Sequence, residues 1–197
     1  MKIDKKYGND EYGKYLAMII DEIEIIFRYI EPGTFIMGSP EYEYSRFSDE
    51  KQRKVKIKKG FWLLDTPVTQ ELYEKVMGKN PSYFRGDPKL PVECVSWFDA
   101  KAFCKKFREL TDRKAKLPSE KEWEYACRAG TTTPFHTGET ITTDQANFDG
   151  RYPYRPGDPI GEYRGKTTPV KTFPPNAWGL HGMHGNVWGW TRTRYGK

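Results

Sequence analysis

Three histidines, three cysteines and a loop rich in oxygen-bearing side chains are the groups through which this chain could do chemistry. His181 and His184 stand three apart in Gly179-Leu180-His181-Gly182-Met183-His184-Gly185, a spacing that on a helix puts both imidazoles on one side. The glycines oppose a helix there, and no cysteine or aspartate stands nearby to complete a zinc set. A glycine-shaped turn is the better reading. His136 stands alone, no Ser/His/Asp order or phosphate-binding loop is present, and the glycine spacing follows no βαβ pattern. Cys94, Cys104 and Cys127 show no CxxC spacing. Their odd number, without a secretion signal, points to three reduced thiols, with Cys104 and Cys127 inside helical patterns where a small apolar residue packs. Asn147, Asp149, Asp158 and Glu162 put hard oxygen donors into one loop, which suits calcium better than a transition metal. The same residue types build turns, because their side chains bond nearby backbone, and turns are the favoured reading of the residues by themselves, while spacing alone does not decide between the two.

The 197 residues fit one ordinary domain with a real core, and 15% aromatic content argues against a disordered chain. The net charge of +6 concentrates between Lys51 and Lys59, where Val55 and Ile57 alternate with lysines at a strand's period. That run reads as a solvated strand face. Without a recognition motif, no specific nucleic acid is expected. The aliphatic run Leu16 to Ile20 stops at Asp21 and Glu22, too short for a bilayer span and without signal-peptide flanks, so no membrane and a cytoplasmic location are expected.

The elements that must position these groups come next. A helix is expected near Tyr15 to Phe27, within a stretch otherwise opaque. Strands are expected at Thr34 to Met37, Lys54 to Lys58 and Phe61 to Leu64, ended by Gly38-Ser39-Pro40 and Pro67. Thr69 can cap a short helix carrying Leu72 and Val76, which Gly78 ends. Ser96 with Asp99 and Ser119 with Glu122 form capping boxes. The first box opens a helix with the stripe Ala100, Phe103, Cys104, Phe107 and Leu110. The second opens one in which Trp123, Ala126 and Cys127 face inward and Gly130 closes the end. Beyond Gly130 lies a long irregular half, whose Trp178, Trp188 and Trp190 are expected to bury into a secondary core.

Read in order, "PGTFIMGSP", "GFWLLDTPVTQ", "NPSYF", "PVECVSWFDAKAFC", "LPSEKEWEYACRAGT", "ANFDG", "TFPPNAWGL" and "MHGNVWGW" resemble the formylglycine-generating enzyme (sulfatase-modifying factor) family from Phe27 to about Tyr195. Many ordered phrases with suitable gaps are far more specific than any one of them. The division that follows is residues 1–26 as an N-terminal extension and residues 27–197 as the family domain, lacking its C-terminal part.

The resemblance implies an α+β, C-type-lectin-like fold with two main helices, twisted antiparallel strands and long irregular loops. It implies an ancestral activity in which a cysteine pair holds copper and oxygen oxidises a sulfatase cysteine to formylglycine. In the family that pair follows a GNVWEW-type motif, and the sequence stops at Lys197, seven residues after Trp190. Cys94, Cys104 and Cys127 do not match the copper positions, so no catalytic residue is assigned and this chain is expected to be inactive. The alternative is a non-catalytic module that binds a ligand, protein or peptide. The family's first calcium site maps onto the Asn147 side chain, the Phe148 carbonyl, the Glu162 carboxylate and the Arg164 carbonyl. At the second, Gly182 and Gly189 replace ligands and only the carbonyls of Gly185 and Val187 remain, too few to hold an ion.

Overall fold

Leu16, Met18 and Ile20, then Ile23, Ile25 and Phe27, alternate with other residues on either side of Asp21-Glu22, and alternation is the period of a strand. In the computed structural model, which describes residues 2–194, this stretch is a hairpin rather than the expected helix. Asp21 takes the left-handed conformation at φ 54°, and its backbone N–H donates to Lys2 O at 2.8 Å. Runs of isoleucine favour the pleat because branching at Cβ restricts χ1.

The described elements are β1 (Ile3–Asp10), β2 (Gly13–Ile20), β3 (Ile23–Ile30), β4 (Gly33–Met37), β5 (Arg53–Ile57), β6 (Phe61–Leu64), α1 (Gln70–Met77), α2 (Trp97–Thr111) and α3 (Glu120–Arg128). One antiparallel sheet has the order β1-β2-β3-β6, with β3 pairing β6 from Phe27↔Leu64 to Ile30↔Phe61. A second pairs β4 with β5. Among the described residues both sheets are open and the helices number three, which overturns the two-helix lectin-like arrangement expected above. The helix left out of that expectation is α1. Thr69 caps it through a bond from Leu72 N–H, and Gly78 closes it at φ 76°. Its Tyr73 stacks on Phe103 of α2 at 5.5 Å, so it is a full partner in the core rather than a surface turn.

Both expected capping boxes form, Ser96 with Asp99 opening α2 and Ser119 with Glu122 opening α3. The polypeptide leaves α3 through Ala129 at φ 44° and Gly130 at φ 92°.

Two cores lie on opposite faces of the sheet. Leu16, Met18, Ile20 and Ile25 meet Leu72, Val76, Phe103 and Phe107 from α1 and α2 on one face. Ile30, with Phe61 and Leu63, meets Ile57, Tyr125, Ala126 and Leu180 on the other. Trp178 joins the second core against Tyr125 at 4.8 Å. Trp188 is fully exposed and Trp190 is 49% exposed, so these two do not bury as expected. They stand at the rim of an apolar cavity of about 500 Å3 that opens beside β6 and α2.

Ile30 is 1% exposed and packed on all sides by the second core. Ile30→Ala is expected to lower stability by about 3 kcal/mol in urea unfolding, and a loss under about 1 kcal/mol would show that this core is loosely packed.

Candidate functional site

The loops from Ala146 to Thr168 and from His184 to Val187 carry most of the side chains singled out above, and amide side chains stitch them together. Asn147 and Gly185 form a parallel bridge, with Asn186 N–H donating to Asn147 O at 2.8 Å. Asn186, in the left-handed region at φ 62°, accepts from Thr168 N–H at 2.9 Å and returns a bond to Thr168 O at 2.9 Å. Asn147 Nδ2 donates to Lys166 O at 2.8 Å and to Asn186 Oδ1 at 3.0 Å. Both amide protons are thereby committed, and Oδ1 is the atom Asn147 has to offer a ligand. Gly185 is required here: a Cβ would lie 2.4 Å from Asn147 O.

Gly150 N–H donates to Glu162 O at 3.1 Å and Gly161 N–H to Gly150 O at 2.8 Å, so 147–150 and 161–164 run side by side. Asn147, Phe148, Glu162 and Arg164 are therefore brought into one region. The Glu162 carboxylate, 63% exposed, lies 3.0 Å from Arg164 Nη2. The Arg164 guanidinium covers the Phe173 ring, and its Nη1 is buried without a hydrogen-bond partner. Asp149 pairs with Arg151, and Asp158 accepts from Thr140 Oγ1, so these two carboxylates serve turns. The backbone oxygen of Gly185 accepts from Val187 N–H at 2.8 Å.

The three histidines are not a metal set. His136 and His184 stack in parallel, 4.9 Å between centroids, and His136 N–H donates to His184 Nε2 at 3.2 Å. Parallel rings do not aim their nitrogens at one point, and no group of three or more His, Cys, Asp or Glu able to hold a metal is present among the described residues. Burial pushes His184 down to about 4, with the nearby His136 and Arg128 adding to the effect. Burial also lowers His136, whose Nδ1 has no partner. His181 sits apart, its N–H on Asp65 O at 2.7 Å and its Nδ1 2.9 Å from Phe173 O.

The cysteines occupy three unlike places. Cys127 on α3 is buried 3.7 Å from His184 Nε2, and burial pushes its thiol up to about 12. Cys104 on α2 is half-buried and also raised by burial. Cys94 is exposed in a loop at φ 56°, not packed in a core, and its bond to the Glu93 carboxylate raises it. A thiolate is the form that attacks or binds soft metals, and all three environments oppose it.

Sequence reasoning passed over the polar clamps. Asn176, 2% exposed, donates to Ala126 O and Cys127 O and accepts from Trp178 and Leu180 N–H, so it caps the end of α3 and fixes the Trp178 turn. The Gly-Asn step at 185–186 was the available signal for the other, because asparagine visits the left-handed region readily.

The family profile described as the Sulfatase-modifying factor enzyme 1-like domain matches residues 27–197. The inactive C-alpha-formylglycine-generating enzyme 2 of Bos taurus is 33% identical over 151 residues, which are 75% of this chain and 47% of the relative. The formylglycine-generating enzyme of Mycobacterium tuberculosis is 40% identical over 109 residues, 53% of this chain and 34% of its own. The chain thus spans less than half the length of these curated relatives. Among solved structures, Treponema denticola variable protein 1 superposes with a TM-score of 0.71 at 23% identity, covering 95% of this chain and 76% of that one. PvdO from Pseudomonas aeruginosa gives 0.70 at 26% identity, covering 94% and 74%. No helix among the described residues is long and apolar enough to cross a membrane.

His184 is neutral in the fold and takes up a proton near pH 6.5 when unfolded, so its contribution is full above that pH and is lost as the pH falls toward 4. Between pH 7 and pH 4 the wild-type chain is expected to lose about 2 kcal/mol more than His184→Gln in urea unfolding, and equal losses would contradict the buried neutral imidazole.

Proposed function

The chain belongs to the sulfatase-modifying factor family, whose members link it to formylglycine chemistry, and from that premise we propose that it is a binding domain of the family rather than a copper oxidase. The observation that carries this reading is the state of the thiols. Copper(I) is selected by soft thiolates that converge on the ion. Cys94 pairs with Glu93 in an exposed loop, Cys104 packs among α2 apolar residues and Cys127 faces Met183 and His184, each held protonated. The described cysteines therefore do not fit the copper group, and no oxidation step is derived through it. The presence of inactive paralogues among the relatives is consistent with such a role.

The same reading includes a structural calcium ion on the Asn147 loop, held by Asn147 Oδ1, the Phe148 carbonyl, the Glu162 carboxylate and the Arg164 carbonyl. The committed amide protons of Asn147 support it, as does the exposure of the Glu162 carboxylate, whose surface pairing with Arg164 is worth about 0–1 kcal/mol and so yields cheaply to a divalent ion. The ion would supply charge that ties 147–150 to 161–164. It does no chemistry.

With Cu(I), oxygen and a sulfatase-derived cysteine peptide, the purified chain is expected to give no aldehyde above a protein-free control by mass spectrometry. Aldehyde formation would overturn the binding reading. Separately, about 1 mM calcium is expected to raise Tm by about 3 °C or more in the wild type and to leave Glu162→Gln unmoved, while an unchanged wild-type Tm removes calcium from the account.

A further inference from the structure

Strand β5 carries lysines whose ammonium groups take part in no described contact. Val55 and Ile57 turn inward, Ile57 to 4% exposure, and the residues that alternate with them are Lys54, Lys56 and Lys58. Lys54 and Lys56 lie exposed on the outer face of the β4–β5 ribbon, opposite Ile36 and Thr34, which are exposed as well. Lys51, Lys58 and Lys59 prolong the row at its two ends and are also exposed. Alternate residues of a strand stand about 7 Å apart, so the row presents positive charge at a regular interval.

None of these five lysines forms an ion pair among the described residues, whereas Lys2, Lys14, Lys75, Lys89 and Lys171 each meet a carboxylate. Lysine is almost never fully buried without a partner, because an unpaired ammonium is costly to take out of water. An apolar segment, of this chain or of another, does not pack over such a row. What the row accepts is water or acid. The neighbouring residues choose among the anions that could answer it. The loop that joins the two strands carries Glu41, Glu43, Asp49 and Glu50. A nucleic-acid duplex or an anionic bilayer is charged over more than the length of a five-residue strand and would bring its phosphates against these acids. A nucleic-acid single strand calls for aromatic platforms under its bases, and this face offers Thr34 and Ile36. A short acidic peptide can cross the row alone.

From these observations we propose that the outer face of the β4–β5 ribbon docks an extended acidic segment of a partner protein, with carboxylates at alternate positions that repeat at the lysines' own interval of about 7 Å. Lys54 and Lys56 take the central carboxylates, and Lys51, Lys58 and Lys59 attract those at the ends. The inference goes beyond the binding reading above and does not draw on the thiols, so the aldehyde assay judges that reading and the following titration judges this one.

The probe is a capped seven-residue peptide of alternating glutamate and threonine, with glutamate at both ends, titrated into the 197-residue chain and followed by amide shifts in NMR. At about 20 mM salt saturable binding is expected, with the shifts centred on Lys54 and Lys56, and it should weaken about tenfold at roughly 0.3 M salt, where screening is far stronger. A peptide of the same composition with its glutamates consecutive should bind about threefold more weakly, since half its carboxylates then point away from the row. Lys54→Gln with Lys56→Gln, both exposed changes, should weaken the alternating peptide about tenfold, and Lys54→Glu with Lys56→Glu should shift the preference to a peptide of alternating lysine and threonine. Absence of saturable binding, shifts centred elsewhere, equal affinity for the two glutamate peptides, or binding unmoved by the glutamine variants would each overturn the proposal. So would tighter binding of a DNA duplex or of phosphatidylserine vesicles than of the alternating peptide.

Discussion

Strand β3 must be covered on both faces, and most of the architecture answers to that requirement. Ile25 and Phe27 turn toward α1 and α2, while Ile30 turns toward α3 and the loop carrying Leu180. A strand buried on two sides cannot shift register by one residue without exchanging the sets that face each core. The pairing of Phe27 with Leu64 and of Ile30 with Phe61 therefore fixes how the first thirty residues meet everything that follows. Arg28 shows how tightly the seam is held. It is 8% exposed on the strand, donates through Nη1 to both oxygens of Asp10 at 2.7 Å, and lies against the Tyr12 and Tyr15 rings. Burial is the largest single influence on Asp10 and would raise it, but the Arg28 hydrogen bond, the Tyr12 N–H and the Arg28 charge together outweigh it and keep that carboxyl below its usual range.

After α3 the chain has almost no ladder to satisfy its backbone, and amide side chains take over that task. Asn176 and Asn186 each use donors and acceptors at once, tying segments roughly 18 to 50 residues apart in sequence. A buried amide of this kind is specific in direction as well as place, because exchanging its oxygen and nitrogen would break every bond it makes. The loop half is thus irregular in backbone but determinate in structure.

What could be read from the sequence was what local chemistry decides. The capping boxes at Ser96 and Ser119 and the glycine stop at Gly78 sit within a turn of their partners, strands β4 and β6 are bounded by glycine or proline, and β5 shows the alternation of Val55 and Ile57 with lysines. The β2–β3 hairpin was missed because a short apolar run satisfies helical and extended periods alike, and only pairing decides between them. Trp188 and Trp190 were misjudged for a similar reason: hydrophobicity states a preference for burial, while the surroundings decide whether it is met. At the loop site, residue types located Asn147 and Glu162, yet the turn of Glu162 toward Arg164 is a matter of side-chain geometry that spacing does not encode.

The contrast between the two halves also sets an order of assembly. Strands β1, β2 and β3 are joined by tight turns and pair with near neighbours in the chain, so their hairpins can close on the microsecond scale as soon as about thirty residues are free. The bonds from Trp97 Nε1 to Thr191 O and from Tyr154 to Tyr44 O span 94 and 110 residues and must wait for nearly the whole chain. During synthesis, the meander is a finished surface on which later segments condense. Until they arrive, the apolar side chains of β3 are the ones in need of shielding by the ribosome or a chaperone.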